Sequence, residues 1–281
     1  MKLDEAAFDI ALGRVSALRA GGTGGRKVLA LHGWLDNAAS FVPLAPYLAG
    51  LDLVLLDLPG HGRSAHLPAG AEYTSGVAVN AVLDVADALG WQRFSLLGHS
   101  MGAGIASLIA ASSPQRIDRL VAIEALGALS ETEARTAARW REAIAAARAL
   151  PGKKLRVFAD LSAPVRARMV ANQLSEAAAR LLVERGVKAV DGGYVWSSDP
   201  RLTLPTPQRL SEAQIDDLVA GIDCPTRVIY ADPPQPYFPE PLRSARVARL
   251  PRGQLRVITG THHLHMEDPA AVAAAIGDFL A

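Results

Sequence analysis

The chain has 281 residues, which is enough for one large α/β domain or two small ones. Half of the residues are hydrophobic and the formal net charge is +1, so nothing indicates a nucleic acid or an acidic membrane surface as a partner. The single cysteine, Cys224, excludes an internal disulfide framework, and no secretory signal or membrane span is visible, so we expect a cytoplasmic protein without membrane contact.

Apolar periodicity predicts strands and helices that alternate along most of the chain. Strands buried on both faces of a parallel sheet appear as continuous apolar runs, whereas helices repeat apolar residues every three or four positions. In chain order these signals predict a hairpin at 8–18, a strand at 28–31, a helix at 40–48, a strand at 53–56, a helix at 76–89, a strand at 94–97 that leads directly into a helix, and a strand at 119–123. The alternation favours a doubly wound parallel sheet.

The character of the sequence changes after about residue 130. An alanine- and arginine-rich helix at 131–150, broken by Pro151 and Gly152, is followed by predicted helices near 164–171 and 175–185 and a strand at 194–196. The remaining predictions are strands at 227–230 and 255–259 and a final helix at 268–280. We therefore expect a core formed by residues 1–127 and 216–281, and an inserted cap formed by residues 128–215, which we call the cap segment.

The motif with the most chemical content is Gly-x-Ser-x-Gly at residues 98–102. It lies between a predicted strand and a predicted helix, where a sharp turn pushes the serine hydroxyl out at the end of the sheet. Gly98 and Gly102 fit such a turn, because side chains there would collide. We interpret Ser100 as a nucleophile; the alternative is an ordinary turn with an exposed serine.

A serine nucleophile requires a base, and the base requires a third group that orients it. The base is expected after the last strand, because the strand ends meet in one crevice. Three histidines lie there, at His262, His263 and His265.

Four segments together resemble an α/β-hydrolase of the serine hydrolase-like group. They are His-Gly-Trp-Leu-Asp-Asn at 32–37, Asp-Leu-Pro-Gly-His-Gly-Arg-Ser at 57–64, Gly-His-Ser-Met-Gly at 98–102 and Gly-Thr-His at 260–262. The resemblance implies the α/β-hydrolase fold, with a mostly parallel eight-stranded sheet, flanking helices and a helical cap inserted after strand 6.

The resemblance also implies the roles of individual residues. His262, in Gly-x-His directly after the last strand, is the catalytic base, and His263 and His265 pack or hydrogen-bond beside the site. The backbone N–H groups of Trp34 and Met101 form the oxyanion hole. The substrate pocket is expected to include His32, Gly33, Trp34 and His99.

The acid of the triad is the least regular part of the pattern. Many α/β-hydrolases carry it a few residues beyond the seventh strand, where this chain has Pro234, and Asp232 lies two residues early. Glu124 ends the sixth strand, much as an acid does in some haloalkane dehalogenases. A charge directly after a buried run requires a partner, which a histidine N–H would supply. We predict Glu124 as the acid, with Asp232 as the alternative.

His263 and His265 together with Glu267 and Asp268 also offer metal-type ligands and resemble a metallo-β-lactamase motif. That fold places its motif elsewhere and requires further histidines downstream, so we predict no metal and no cofactor.

The predicted function is hydrolysis of a small to medium carboxylic ester through an acyl-enzyme, with a small-molecule ester-type substrate as the partner. The same triad leaves open a carbon–carbon bond (diketone) hydrolase, a thioesterase or a lactonase. The alternative from another class is a non-catalytic ligand-binding homologue. The oligomeric state does not follow from the sequence.

Overall fold

A computed structural model describes residues 1–22, 24–150 and 155–281 of the chain. The predicted helix break at Pro151 and Gly152 lies outside the described residues. In the part that is described, no helix has both the length and the apolar character needed to cross a membrane.

Most strands belong to one central sheet. Within the described residues the strands are β1 (Asp4–Ile10), β2 (Gly13–Ala20), β3 (Lys27–Leu31), β4 (Asp52–Leu56), β5 (Phe94–His99), β6 (Ile117–Ile123), β7 (Val187–Val190), β8 (Gly193–Trp196), β9 (Thr226–Asp232) and β10 (Gly253–Thr259). The central sheet has the order β1-β2-β4-β3-β5-β6-β9-β10, while β7 and β8 form a separate antiparallel pair. Only β1 with β2 and β2 with β4 are antiparallel within the central sheet. The predicted mostly parallel, eight-stranded sheet is therefore confirmed.

Helices flank this sheet and make up most of the cap segment. They are α1 (Ser75–Ala88), α2 (Met101–Ser112), α3 (Thr136–Ala149), α4 (Ser162–Asn172), α5 (Glu176–Gly186), α6 (Glu212–Ala220), α7 (Glu240–Arg249), α8 (Leu264–Glu267) and α9 (Pro269–Ile276). The predicted cap boundary between residues 215 and 216 falls inside α6, which packs against α2 and α7. The division into core and cap therefore stays a prediction.

Two apolar clusters bury the two faces of the sheet. Along β3, Leu29 and Leu31 belong to one cluster, whereas Val28 and Ala30 belong to the other. Successive side chains of a strand point to opposite faces, so this alternation means that both faces are covered. The carboxyl ends of the parallel strands are left as the edge where polar groups can meet.

One predicted helix is wrong. Residues 40–48 form no α-helix but two single turns of 3₁₀ helix, Ala38–Phe41 and Ala45–Leu48. Pro43 and Pro46 explain the difference, because proline lacks an N–H donor and clashes with the preceding helical turn.

Other elements differ at their ends or were missed. The helix predicted at 131–150 begins at Thr136, and the last helix ends at Ile276, where Gly277 turns the chain with a φ of 54°. The strand β7 and the helices α6 and α7 were not predicted. For α6 a local signal exists, because Ser211 and Gln214 form a capping box.

The turn between β5 and α2 depends on two glycines. A Cβ atom on Gly98 would lie 2.5 Å from the Cα atom of Ala103, and one on Gly102 would lie 2.0 Å from the carbonyl oxygen of Leu31. Both neighbours are backbone atoms that no rotamer change can move. The helix α2 therefore approaches β3 and the end of β5 more closely than any side chain permits.

We expect Gly102→Ala to lower the free energy of unfolding by at least about 2 kcal/mol, because the new methyl group overpacks this contact. Gly76 is the matched control, since it is likewise the second residue of a helix but has its nearest neighbour at 3.8 Å. Gly76→Ala should leave stability unchanged or raise it by up to about 1 kcal/mol. Urea unfolding measures both, and equal effects would contradict the close approach at Gly102.

Candidate active site

Ser100 occupies a strained position at the turn between β5 and α2. Its φ of 51° and ψ of −118° lie in a region that non-glycine residues rarely adopt, at a cost of about 1–3 kcal/mol. Its backbone N–H donates to the carbonyl of Ile123 at 2.8 Å, which ties the turn to the end of β6. The side chain is thereby held beside the neighbouring strand end, where Glu124 follows.

His262 lies between Ser100 and Glu124 in the loop after β10. Its Nε2 is 3.0 Å from the Ser100 Oγ, and its Nδ1 is 3.1 Å from Glu124 Oε2. In the neutral tautomer that fits both contacts, Nδ1–H donates to the carboxylate and Nε2 accepts the serine hydroxyl. The structure thus brings these three predicted residues into one hydrogen-bonded chain.

Glu124 is fixed by donors from several elements. Its side chain is fully buried, and its backbone adopts a φ of 60° directly after β6. Oε1 accepts the backbone N–H of Ala231 at 2.6 Å, and Oε2 faces Arg243 Nη2 at 3.5 Å as well as His262. A buried carboxylate with this set of donors has its charge compensated on every side.

The alternative acid, Asp232, forms no hydrogen bond with His262 among the described residues. It ends β9 as an exposed residue, and its backbone carbonyl accepts the N–H of Gly260 at 3.1 Å. Among the described residues its carboxylate has no hydrogen bond to the histidine. The contacts therefore favour Glu124 over Asp232.

The two expected oxyanion donors belong to the first turn of α2 and to the loop after β3. Met101 is the first residue of α2, where helical N–H groups lack an intrahelical acceptor. Trp34 belongs to the loop after β3, the strand next to β5. Its indole is about half exposed and donates to the carbonyl of Leu202 in the cap segment at 2.8 Å. Trp34 thus connects the site loop to the cap segment.

Two of the expected pocket residues lie in the interior instead. His32 donates from Nδ1 to the carbonyl of Gly33 at 2.7 Å and accepts the N–H of Leu58 at Nε2 at 3.0 Å. His99 donates from Nε2 to the carbonyl of His262 at 2.8 Å. Both rings have no exposed surface, so the expectation that they line the substrate pocket is wrong. They support the loops that carry the site.

Gly33 lies against the ring of His99 and the carboxylate of Asp36. A Cβ atom at Gly33 would come within 3.0 Å of His99 Nδ1 and of Asp36 Oδ2. The loop after β3 therefore packs directly on these two polar side chains, and a larger residue at this position would displace it.

Asp36 is the buried anion of this loop. His263 donates to it from Nε2 at 3.1 Å, and Arg168 of α4 lies 3.3 Å from its other oxygen and also contacts the carbonyl of Leu35. Burial would raise the pKa of Asp36, but the His263 hydrogen bond and the Arg168 charge hold it well below its usual value. The cap segment is thus attached to the site loop through a charged contact.

Asp36, His99 and His263 place three metal-type ligand atoms within 4.8 Å of one another. One of the spacings is longer than tetrahedral zinc requires: Asp36 Oδ2 is 4.0 Å from His99 Nδ1, whereas zinc with bonds of about 2.0–2.1 Å holds its ligands about 3.4 Å apart. Arg168 on the same carboxylate also opposes a bound cation. These residues therefore form a hydrogen-bonded support for the loops.

The ligand set suggested by the sequence does not converge either. The His265 ring bonds to the Ser40 hydroxyl at 2.7 Å, Glu267 accepts the N–H of Ser175 at 2.8 Å, and Asp268 caps α9. Each of these side chains already has a different structural partner.

Comparison with known proteins identifies the family. Residues 27–189 match the family profile of the alpha/beta hydrolase fold. The chain is 32% identical over 270 residues to a serine hydrolase-like protein of Dictyostelium discoideum, covering 91% of this chain and 75% of that one. It is 30% identical over 295 residues to the human serine hydrolase-like protein 2, covering 99% and 94%. The chain therefore belongs to the α/β-hydrolase family, in its serine hydrolase-like group.

Solved structures agree with this assignment. A hypothetical protein from Pseudomonas aeruginosa is 40% identical with a TM-score of 0.91, covering 98% of each chain. A thioesterase domain from the curacin biosynthetic pathway is 26% identical with a TM-score of 0.84, covering 98% of this chain and 99% of that one. The α/β-hydrolase fold is confirmed, and the family supports a hydrolase.

The buried histidines around the site make the fold sensitive to acid. Burial lowers the pKa of His32 to about 4 and that of His61 to about 3, and it lowers the pKa of His99 and His265 well below the usual value. Below about pH 6.5 the unfolded chain binds protons that the folded chain does not, so stability falls as the pH falls.

Each of these histidines should contribute up to about 1.4 kcal/mol of lost stability per pH unit between about pH 6.5 and pH 4. Urea unfolding at several pH values measures how steeply the free energy of unfolding changes with pH. His265→Gln should reduce this slope by the contribution of one histidine. A stability independent of pH over this range would show that these rings titrate normally.

Proposed function

We propose that the protein is a serine hydrolase that cleaves a small to medium carboxylic ester through an acyl-enzyme intermediate. The observation that supports this most strongly is the continuous contact from the Ser100 hydroxyl through His262 to the buried Glu124 carboxylate, at 3.0 and 3.1 Å. These distances are those of a nucleophile, a base and a group that orients the base.

Acylation begins with attack of the Ser100 oxygen on the ester carbonyl carbon. His262 Nε2 accepts the hydroxyl proton as the new C–O bond forms. The backbone N–H groups of Trp34 and Met101 stabilise the negative charge that develops on the carbonyl oxygen. When the tetrahedral intermediate collapses, Nε2 returns the proton to the departing alcohol, and the acyl group remains on Ser100.

Deacylation repeats these steps with water as the nucleophile. His262 takes a proton from the water, the hydroxide attacks the acyl carbonyl, and the proton returns to the Ser100 oxygen as the acid product leaves. Glu124 stays ionised throughout. Its role is to hold the Nδ1–H tautomer and to stabilise the imidazolium that forms in each half-reaction.

A thioester is the second candidate substrate. The thioesterase domain that is 26% identical over nearly the whole chain favours it. The same chemistry applies, since a thiolate leaves more readily than an alkoxide and requires less help from His262.

Ser100→Ala should abolish labelling by a fluorophosphonate probe and lower kcat by at least about 10⁴-fold, because the nucleophile is lost. The assay uses p-nitrophenyl esters of increasing acyl length beside thioesters with the same acyl groups, and the larger kcat/KM decides between the two candidates. Ser112→Ala is the control, since Ser112 lies exposed at the end of the same helix. A wild-type protein that neither labels nor turns over would contradict the proposal.

Glu124→Gln should lower kcat by about 10³–10⁴-fold, because the amide no longer favours the Nδ1–H tautomer and leaves the imidazolium without its counter-charge. Asp232→Asn should change kcat less than about twofold, since that residue is exposed and the His262 ring is hydrogen-bonded to Glu124 instead. Steady-state kinetics on the best ester compares the two variants. The reverse ranking would transfer the role of the acid to Asp232.

A further inference from the structure

We propose that Arg243 is a positioning residue that acts through Glu124: its guanidinium fixes the Oε2 oxygen toward His262 and limits how strongly that carboxylate favours the imidazolium. This inference rests on the proposed function, because it concerns the same three residues. Arg243 belongs to α7, a helix that carries none of the three triad residues.

The guanidinium is held at several points. Arg243 is only 4% exposed. Its Nε donates to the carbonyl of Phe238 at 2.9 Å, its Nη1 donates to the carbonyl of Ala231 at 2.7 Å, and its Nη2 lies 3.5 Å from Glu124 Oε2. With these contacts the side chain has little freedom to leave the carboxylate.

Aromatic rings close the remaining sides. The guanidinium carbon lies 4.6 Å from the ring centroid of Tyr230 and 5.7 Å from that of Phe238. A planar, delocalised cation suits such stacking while it donates in its own plane, and an ammonium group does not. The site is therefore specific for arginine and not merely for a positive charge.

Ala231 connects the two charged groups. Its N–H donates to Glu124 Oε1, and its carbonyl accepts from Arg243 Nη1. The Glu124 carboxylate and the Arg243 guanidinium are thus both hydrogen-bonded to the backbone of Ala231. The second carboxylate oxygen, Oε2, faces Arg243 and His262. Rotation of the carboxylate would break contacts on both sides, so the direction of Oε2 is fixed before His262 is protonated.

The charge has a consequence for the reaction. When His262 accepts a proton, Glu124 Oε2 faces two cations instead of one. The positive charge of Arg243 repels the charge that forms on His262 and offsets part of the stabilisation that Glu124 gives to it. Removal of the charge should therefore shift the protonation of His262 to higher pH.

The other ionisable groups that face this pair do not compensate. Burial raises the pKa of Tyr230 and of Tyr237 above the usual value, so both rings are neutral near pH 7. Burial and the neighbouring histidines keep His99 neutral. His263 follows His262 in the chain and donates a hydrogen bond to Asp36, which also forms an ion pair with Arg168. Within the described residues, Arg243 is the arginine whose charged side chain contacts Glu124 directly.

Arg243→Met tests the inference, with Arg246→Met as the matched control. Arg246 lies one turn further along α7, is equally buried and also donates to backbone carbonyls, but its carboxylate partner is Glu212. Removal of either arginine should lower the Tm by a similar amount. Only the arginine that contacts Glu124 should change the pH at which His262 titrates, so Arg243→Met should shift this midpoint and Arg246→Met should not.

The titration midpoint of His262, followed by ¹⁵N-histidine NMR, should rise by about one pH unit in Arg243→Met and stay unchanged in Arg246→Met. The acidic limb of kcat/KM should move by the same amount, and kcat should fall about 10–100-fold. In Arg243→Lys the charge is kept but the stacking and the double carbonyl contact are lost, so the midpoint should stay near the wild-type value while kcat still falls.

An unmoved midpoint in Arg243→Met, or full kcat in Arg243→Lys, would overturn the positioning role. If Arg243→Met does not fold, the lysine variant decides alone. Failure of the proposed function is separate, because it would appear as wild-type turnover that does not depend on Ser100, whereas the NMR midpoint is measured without turnover.

Discussion

The site depends on one buried carboxylate at the end of β6. Glu124 has no exposed side-chain surface, so its charge must be balanced inside the protein. The donors come from three different places: the backbone of β9, the helix α7 and the loop after β10. Because all three converge on one group, the end of the sheet, a flanking helix and the loop that carries His262 are fixed relative to one another.

Two buried histidines of the site add no further charge to it. His32 and His99 use their N–H groups to hold backbone carbonyls of the site loops, and burial keeps both rings neutral. The strained turn at Ser100 is possible because Gly98 and Gly102 let α2 approach backbone atoms closely. The rigidity of this surrounding structure keeps the Ser100 hydroxyl within reach of His262.

Much of this arrangement follows from local sequence patterns. Buried apolar runs predicted the parallel strands, and the strand-turn-helix context singled out Ser100. The contact between Glu124 and His262 was anticipated by a physical argument, since a charge at the end of a buried run must have a partner. Its second partner, Arg243, lies 119 positions away on a helix that was not predicted, and no local pattern indicates such a contact. The burial of His32 and His99 was missed for the same reason, because it arises only when distant loops pack together.

The hydrogen bond from His262 to Glu124 is tested most directly by the ¹H NMR resonance of the His262 Nδ1 proton, assigned by its loss in His262→Gln. A hydrogen bond from Nδ1–H to a buried carboxylate moves this resonance far downfield of the backbone amides. We expect the downfield resonance to be present in the wild type, to persist in Asp232→Asn and to disappear in Glu124→Gln. A resonance that persists in Glu124→Gln or disappears in Asp232→Asn would contradict a hydrogen bond between His262 and Glu124.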